Sequence, residues 1–208
     1  MDGEVKTRMQ THYPHAYILN VVAKDRPGIV AAISKAVVDY KGTIDTCSQT
    51  VVAEFFTLIM VVSFPQPLAE EKFSRAITDP ADSKAGVHVH LRPYEPGALA
   101  GAAAEGENFV ITAFGANQAG VVLRFSRYLA DRGININDLY GTVADGQFIL
   151  VGQVRVPNRW DIRMLQADLE QLAGEIGHTV RLQHENVFFA TNQLRLPRFR
   201  PVERRSIG

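Results

Sequence analysis

The apolar residues of this chain switch between two periods, and the switches mark its elements. Residues 17–23 (YILNVVA) form a short β-rich run that predicts a strand, closed by the turn signal Lys24-Asp25-Arg26-Pro27-Gly28. From there Ile29, Ile33, Val37 and Tyr40 recur at helical spacing until Lys41-Gly42. Residues 43–53 and 55–64 read as two strands joined by a tight turn near Ala53-Glu54. After Pro65-Gln66-Pro67 the spacing predicts a weaker helix over 68–78, with Phe73 and Ile77 inward, and Gly86 leads into a strand at 87–91. The same order then returns. Strand 109–114 is followed by helix 121–132, with Val122, Phe125 and Leu129 on one face. Strands 134–143 and 147–156 flank the hairpin signal Asp145-Gly146. Helix 161–176 carries Ile162, Leu165, Leu169, Leu172 and Ile176 on one stripe, and strand 179–183 closes the series.

The recurrence is also one of residue identity. Residues 25–65 and 117–157 superpose without a gap at an offset of 92, with identities at Gly28/Gly120, Val30/Val122, Ser34/Ser126, Asp39/Asp131, Ile44/Ile136, Thr50/Thr142, Val51/Val143, Phe56/Phe148, Leu58/Leu150, Val62/Val154 and Pro65/Pro157. Average composition would give roughly two or three such matches by accident. The chain is therefore an internal repeat, and each half reads βαββαβ, the ferredoxin-like order of an α+β fold with both helices on one face of an antiparallel sheet. The expected organisation is domain 1 over 15–94, a Gly/Ala-rich linker over 95–107, domain 2 over 108–190 and a basic tail over 191–208. Each copy is marginal in size alone, so the two are expected to support each other as a packed pseudo-dimer. In the second copy Phe148, Leu150, Val154 and Val156 alternate with Gln147, Ile149, Val151, Gln153 and Arg155, which places the first set beneath the helices. The opposite face in the first copy is Phe55, Thr57, Ile59, Val61 and Ser63, an apolar surface expected to meet a partner, within the chain or in another subunit.

Composition narrows the class. Apolar content is 46% and charged content 21%, and 22 Lys plus Arg balance 22 Asp plus Glu. A neutral chain offers no general attraction for nucleic-acid backbones or anionic membranes, so neither is an expected partner. Cys47 is the single cysteine, which excludes an internal disulfide; it is read as a small hydrophobe, and a reducing, cytoplasmic setting is expected. The start of the chain is polar and reads as lacking a signal peptide.

The motifs speak mostly against catalysis. Gly-x-Ser-x-Gly, His-Glu-x-x-His and P-loop patterns are absent, so no catalytic residue, metal or cofactor is assigned. His88 and His90 share a strand face without a neighbouring cysteine or carboxylate. The run 115–125 (GANQAGVVLRF) superficially resembles the phosphate loop of acylphosphatases, which share the βαββαβ order. Arg124 is displaced relative to Gln118, however, and Thr142-Val143-Ala144 stands where that family has an asparagine. The basic tail, with Arg195, Arg198, Arg200, Arg204 and Arg205, reads as a solvated end.

The loop Asp25-Arg26-Pro27-Gly28-Ile29-Val30 has a clearer physical logic. Proline presets φ where a helix start has no N–H to lose, glycine lets the backbone approach a ligand, and the helix presents free N–H groups to a carboxylate. Asp25, or Asn117 in the second copy, can cap that helix or hold an amine. A βαββαβ unit opening this way and continuing to Gly133-Ile134-Asn135-Ile136 resembles an ACT domain, a small regulatory module that binds amino acids. Two in tandem resemble stand-alone double-ACT regulators of the glycine cleavage system repressor type, over about residues 15–190. The segment His184-Glu185-Asn186-Val187-Phe188-Phe189-Ala190 is similar to the end of such proteins.

The resemblance implies side-by-side pairing of ACT units, with ligand held between the β1–α1 loop of one and the β2 start of its partner. The implied ligand residues are Asp25, Arg26, Pro27, Gly28 and Ile29 in the first copy, and Asn117, Gln118, Gly120, Val121, Asn135 and Ile136 in the second. Each copy departs somewhere: Lys41 and Thr43 replace Gly133 and Asn135, and Gln118-Ala119 replaces Arg26-Pro27. One site mixed from both copies is accordingly expected rather than two equal ones. The implied function is a non-enzymatic regulator that binds a small amino acid, controls a partner such as a transcription regulator or metabolic enzyme, and forms a homodimer or other homo-oligomer. The alternative is a constitutive protein-interaction module with a vestigial ligand site; an acylphosphatase-like hydrolase is weaker still.

Overall fold

The computed structural model describes residues 10–78, 86–95 and 105–192, and divides into two units, 1–101 and 102–208. The first unit runs β1 (His15–Lys24), α1 (Ile29–Asp39), β2 (Thr43–Val52), β3 (Phe55–Phe64), α2 (Glu70–Thr78) and β4 (His88–Pro93). The second runs β5 (Gly106–Ala116), α3 (Val121–Asp131), β6 (Asn135–Ala144), β7 (Gln147–Pro157), α4 (Ile162–Gly174), β8 (His178–His184) and α5 (Glu185–Asn192). The sheets are antiparallel and ordered β2-β3-β1-β4 and β6-β7-β5-β8, so βαββαβ occurs twice.

The alternation in the strands decides which face the helices cover. Leu19 and Val21 of β1 and Phe56, Leu58, Met60 and Val62 of β3 join Ile29, Ile33 and Val37 of α1 and Phe73 and Ile77 of α2 in one buried cluster. The second cluster repeats the plan with Ile111, Leu150, Val154 and Val156 against Phe125, Leu129, Leu165 and Leu169. Burying each such side chain is worth about 1.5–3 kcal/mol, so each sheet–helix interface is held chiefly by this stripe. Leu150, Val154 and Val156 lie beneath the helices as the repeat predicts, with Phe148 packed at the edge.

The opposite face of the first sheet is less uniform than its polarity suggests. Phe55 and Ile59 are exposed, whereas Val61 and Ser63 are buried. At that end the Tyr13 amide donates to Ser63 Oγ (3.1 Å) and the His12 amide to Asp45 Oδ1 (2.9 Å), laying the segment before β1 along the sheet.

Both hairpins turn through two residues of positive φ, Ala53 (47°) with Glu54 (69°), and Asp145 (51°) with Gly146 (74°), the conformation whose twist suits a two-residue hairpin. Both edge strands also carry a one-residue register shift at the same repeat position, between Ile44 and Thr46 and between Ile136 and Asp138. The bulged residues are Asp45 and Asn137, short polar side chains that accept hydrogen bonds, Asp45 from the His12 amide and Asn137 from the Asn135 side chain.

Several features differ from the sequence expectation. The inward residue at the start of α3 is Val121, whereas Val122, expected on the face of Phe125 and Leu129, is exposed. Residues 185–192 form a helix, α5, that periodicity does not announce. Strand β5 begins at Gly106, inside the stretch read as linker. Cys47, read as a small apolar filler, is exposed, because β2 is an edge strand whose outer half has no cover. The basic residues from 195 to 205 lie outside the described residues. Among the described residues, no helix is long and apolar enough to cross a membrane.

In the second unit α3 and α4 are fastened by a polar knot. Arg132 Nη2 meets Asp168 Oδ2 at 2.8 Å, the Tyr128 hydroxyl donates to the same oxygen at 3.1 Å, and the Arg132 guanidinium lies 3.7 Å from the centre of the Tyr128 ring. Burial pushes the Tyr128 hydroxyl up to about 12, reinforced by the Asp168 carboxylate and opposed by Arg132.

Candidate functional site

Each strand-to-helix corner is set by a glycine. Gly28 (φ 92°) and Gly120 (φ 89°) precede α1 and α3 in the left-handed region, where a side chain would be strained although the space beside either is open. The first intrahelical bonds are Ala32 N–H to Gly28 O (2.9 Å) and Arg124 N–H to Gly120 O (3.0 Å). The amides of residues 29–31 and 121–123 therefore have no acceptor within their helices, and the corner glycines supply no side-chain cap. Asp25 and Asn117, read as possible caps, form no such bond among the described residues; their backbone amides instead donate to Glu54 O (2.8 Å) and Gly146 O (3.2 Å), tying each loop to the adjacent hairpin. Helix α4 shows the contrast, since Asp161 Oδ1 accepts from the amides of Arg163 (2.7 Å) and Met164 (3.4 Å).

The two loops are not equivalent. In the first, Asp25, Pro27 and Gly28 are exposed, Ile29 is buried as the first anchor of α1, and Arg26 is partly buried with its Nε lacking a hydrogen-bond partner among the described residues. The corner thus combines unfilled helix-start donors, an unpaired guanidinium nitrogen and an exposed carboxylate, the complement of a zwitterion. In the second, the Gln118 carboxamide donates to the Ile176 carbonyl, and His178 Nδ1 contacts the same oxygen at 2.8 Å. Arg124 reaches Glu175 at 3.4 Å in the same turn, so that loop is fastened to the α4–β8 turn.

Asn135 and Ile136 stand elsewhere. Asn135 pairs with Arg155, which pairs with Asn108 near the start of β5, whereas the 117–120 loop follows the far end of that strand, where Ala116 pairs with Gln147. The second unit alone therefore does not bring Asn135 to its own loop. The Asn135 side-chain Nδ2 donates to Asn137 Oδ1 at 2.8 Å, and Ile136 packs against the core. His88 and His90 are exposed on one face of β4, and no group of three potential metal ligands occurs among the described residues.

The sequence reading missed the role of His178. The imidazole lies across Gly115, whose added Cβ would sit 2.5 Å from the ring, and its Nε2 is buried without a hydrogen-bond partner among the described residues. The Gly115-to-His178 coincidence has no local signal, because the two meet only through strand pairing.

These elements define a tandem α+β protein of two ferredoxin-like units, each with a glycine-cornered strand-to-helix loop. The chain belongs to the ACT domain family, whose model matches residues 15–90 and 107–183. Among curated relatives, a UPF0237 protein of Methanococcus maripaludis is 35% identical over 83 residues, 39% of this chain and 92% of that one. A UPF0237 protein of Methanocaldococcus jannaschii is 32% identical over 80 residues, 38% of this chain and 89% of its own length. Such relatives match about one unit's length. Two solved structures match both units: a protein of unknown function from Galdieria sulphuraria (TM-score 0.65, 18% identity, 82% of this chain and 98% of that one) and a candidate glycine cleavage system transcriptional repressor (TM-score 0.59, 16% identity, 82% and 98%). At that identity they speak for the fold alone.

Proposed function

We propose that this chain is a non-enzymatic regulator that senses a small amino acid at the 25–29 loop and passes its occupancy to a partner protein of amino-acid metabolism, such as a transcription regulator. The observation that carries the reading is the open start of α1, beside which the partly buried Arg26 lacks a partner at Nε among the described residues. The ligand carboxylate sits on the Ile29 and Val30 amides with Arg26 beside it, and its ammonium faces Asp25. Pro27 and Gly28 hold the corner so that no side chain intrudes. Asn117, Gln118, Gly120 and Val121 form the corresponding, latched corner, which opens only if the Gln118 bond to Ile176 is exchanged for ligand. Asn135 and Ile136 lie on a ten-residue edge strand whose outer side is unpaired among the described residues, and we assign them to contact with a second copy of the chain in a homo-oligomer.

A constitutive interaction module is the second reading, favoured by the Gln118 latch, which fills the polar valences that a ligand would otherwise use. A thermal-unfolding screen against the twenty amino acids at about 10 mM separates the two. A ligand with a dissociation constant near 0.1 mM stabilises the fold by roughly 2.7 kcal/mol. Stabilisation by one or two related amino acids, lost in Arg26→Ala, is the predicted result; no stabilisation by any of the twenty would move the assignment to the interaction module.

A further inference from the structure

We infer that the face of the second sheet opposite α3 and α4 carries a separate binding groove for a small amphipathic anion, a monocarboxylate with an apolar body, whose head is taken by Arg181. The groove has a volume of about 480 Å³, within the range of roughly 300–1,000 Å³ typical of small-molecule sites. Its floor is built from two adjacent cross-strand rows. Val151, Thr112 and Arg181 form one, and Ile149, Phe114 and Thr179 the other, each running from β7 across β5 to β8. Phe188 of α5 and Gln183 contribute the remaining wall.

The chemistry of the rows is graded. Ile149 and Val151 on the central strand β7 are half-buried, and Phe114 is 49% exposed on a face that no α3 or α4 residue covers. Moving outward, threonine hydroxyls follow, and the guanidinium of Arg181 stands on the rim strand β8. No Asp or Glu lines the groove, and Arg181 takes part in none of the ion pairs found among the described residues. One unbalanced cation next to an apolar floor selects a monoanion with an apolar body. A polyanion would need several cations, and a neutral hydrocarbon would leave the guanidinium unused.

The first repeat shows what the groove adds. Asn20 pairs with Ile59 and His90 as Thr112 pairs with Val151 and Arg181, and Val22 pairs with Thr57 and His88 as Phe114 pairs with Ile149 and Thr179. At these six positions the permanent cation and the large aromatic occur only in the second sheet; the first sheet carries Arg92 and Phe55 on the same face but in other rows, opposite Ile18 and Lys24. The groove is lined by residues of the second unit, whereas the 25–29 loop belongs to the first.

Methyl-resolved NMR of the full chain, titrated separately with octanoate, octan-1-ol and octylamine, tests the assignment. Octanoate is predicted to shift the Ile149 and Val151 methyls saturably, with octylamine binding at least about tenfold more weakly. Arg181→Gln is predicted to weaken octanoate by about tenfold while leaving octan-1-ol unchanged. Equal binding of octanoate and octylamine on the unaltered chain overturns the proposal without reliance on the variant. So do shifts confined to other methyls, unchanged octanoate binding by Arg181→Gln, or shifts that follow protein concentration instead of octanoate, which would mark the face as a contact between copies.

Discussion

His178 and Gly115 form one unit of structure although neither explains itself. A carbonyl oxygen accepts, so the His178 nitrogen facing Ile176 O is one that carries hydrogen, and Nε2 is buried without a hydrogen-bond partner among the described residues. The ring occupies the volume where a Cβ of residue 115 would stand. In the first repeat the offset puts Ala23 at this position, and extending the β1–β4 register puts Val87 opposite it, a small-and-medium pair in place of a none-and-large one. The account predicts that Gly115→Ala alone costs about 1–3 kcal/mol through overpacking. The double variant with His178→Val should recover most of that loss, as measured by urea unfolding in a double-mutant cycle. Equal losses in the single and double variants would show that the ring is not what excludes the Cβ. Gly115 was legible only as a loop glycine, because its reason lies on another strand. Gly28 and Gly120 were legible in full, since the strand-to-helix corner that needs them is local.

At the scale of elements, the repeat exposes where the first copy carries strain. Lys41 follows α1 at φ 59°, and the equivalent position after α3 is Gly133 at φ 66°. A side chain in the left-handed region costs about 1–2 kcal/mol, part of which glycine returns as unfolded-state entropy. Lys41→Gly is therefore predicted to raise stability by up to about 1 kcal/mol, read as a higher urea midpoint with an unchanged slope. A lower midpoint would mean that the Lys41 side chain contributes more than its backbone costs. Most strand ends were legible to within a few residues, because alternation stops at turn residues. Helix α2 starts later than its apolar spacing suggests, at Glu70, and the Leu68 amide is engaged by the Tyr17 hydroxyl at 3.0 Å. Helix α5 was illegible as a helix because Phe188 alone is buried among its described side chains, which leaves no periodic stripe to read. The paired bulges at Asp45 and Asn137 were equally hidden, since a bulge is a property of two strands in register.

For the molecule as a whole, the repeated βαββαβ order followed from sequence because each unit buries its own stripe and needs no distant residue to define it. The candidate site was legible in part. The 25–29 loop carries its own logic in proline, glycine and the open helix start, whereas the latch on Gln118 depends on the α4–β8 turn far along the chain. Asn135 was placed by resemblance, and the second unit sets it at the opposite end from its own loop. The account therefore assigns the amino-acid seat to the first corner and a different chemistry, an apolar floor with one cation, to the back of the second sheet. The most direct test follows the backbone amides of Gly28, Ile29 and Val30 by NMR while adding the amino acid that stabilises the chain most. Saturable shifts at these three amides, with Gly120 and Val121 left in place, are the predicted result. Amides that stay fixed at residues 28–30 while those at 120 and 121 move, or while none moves, would contradict it.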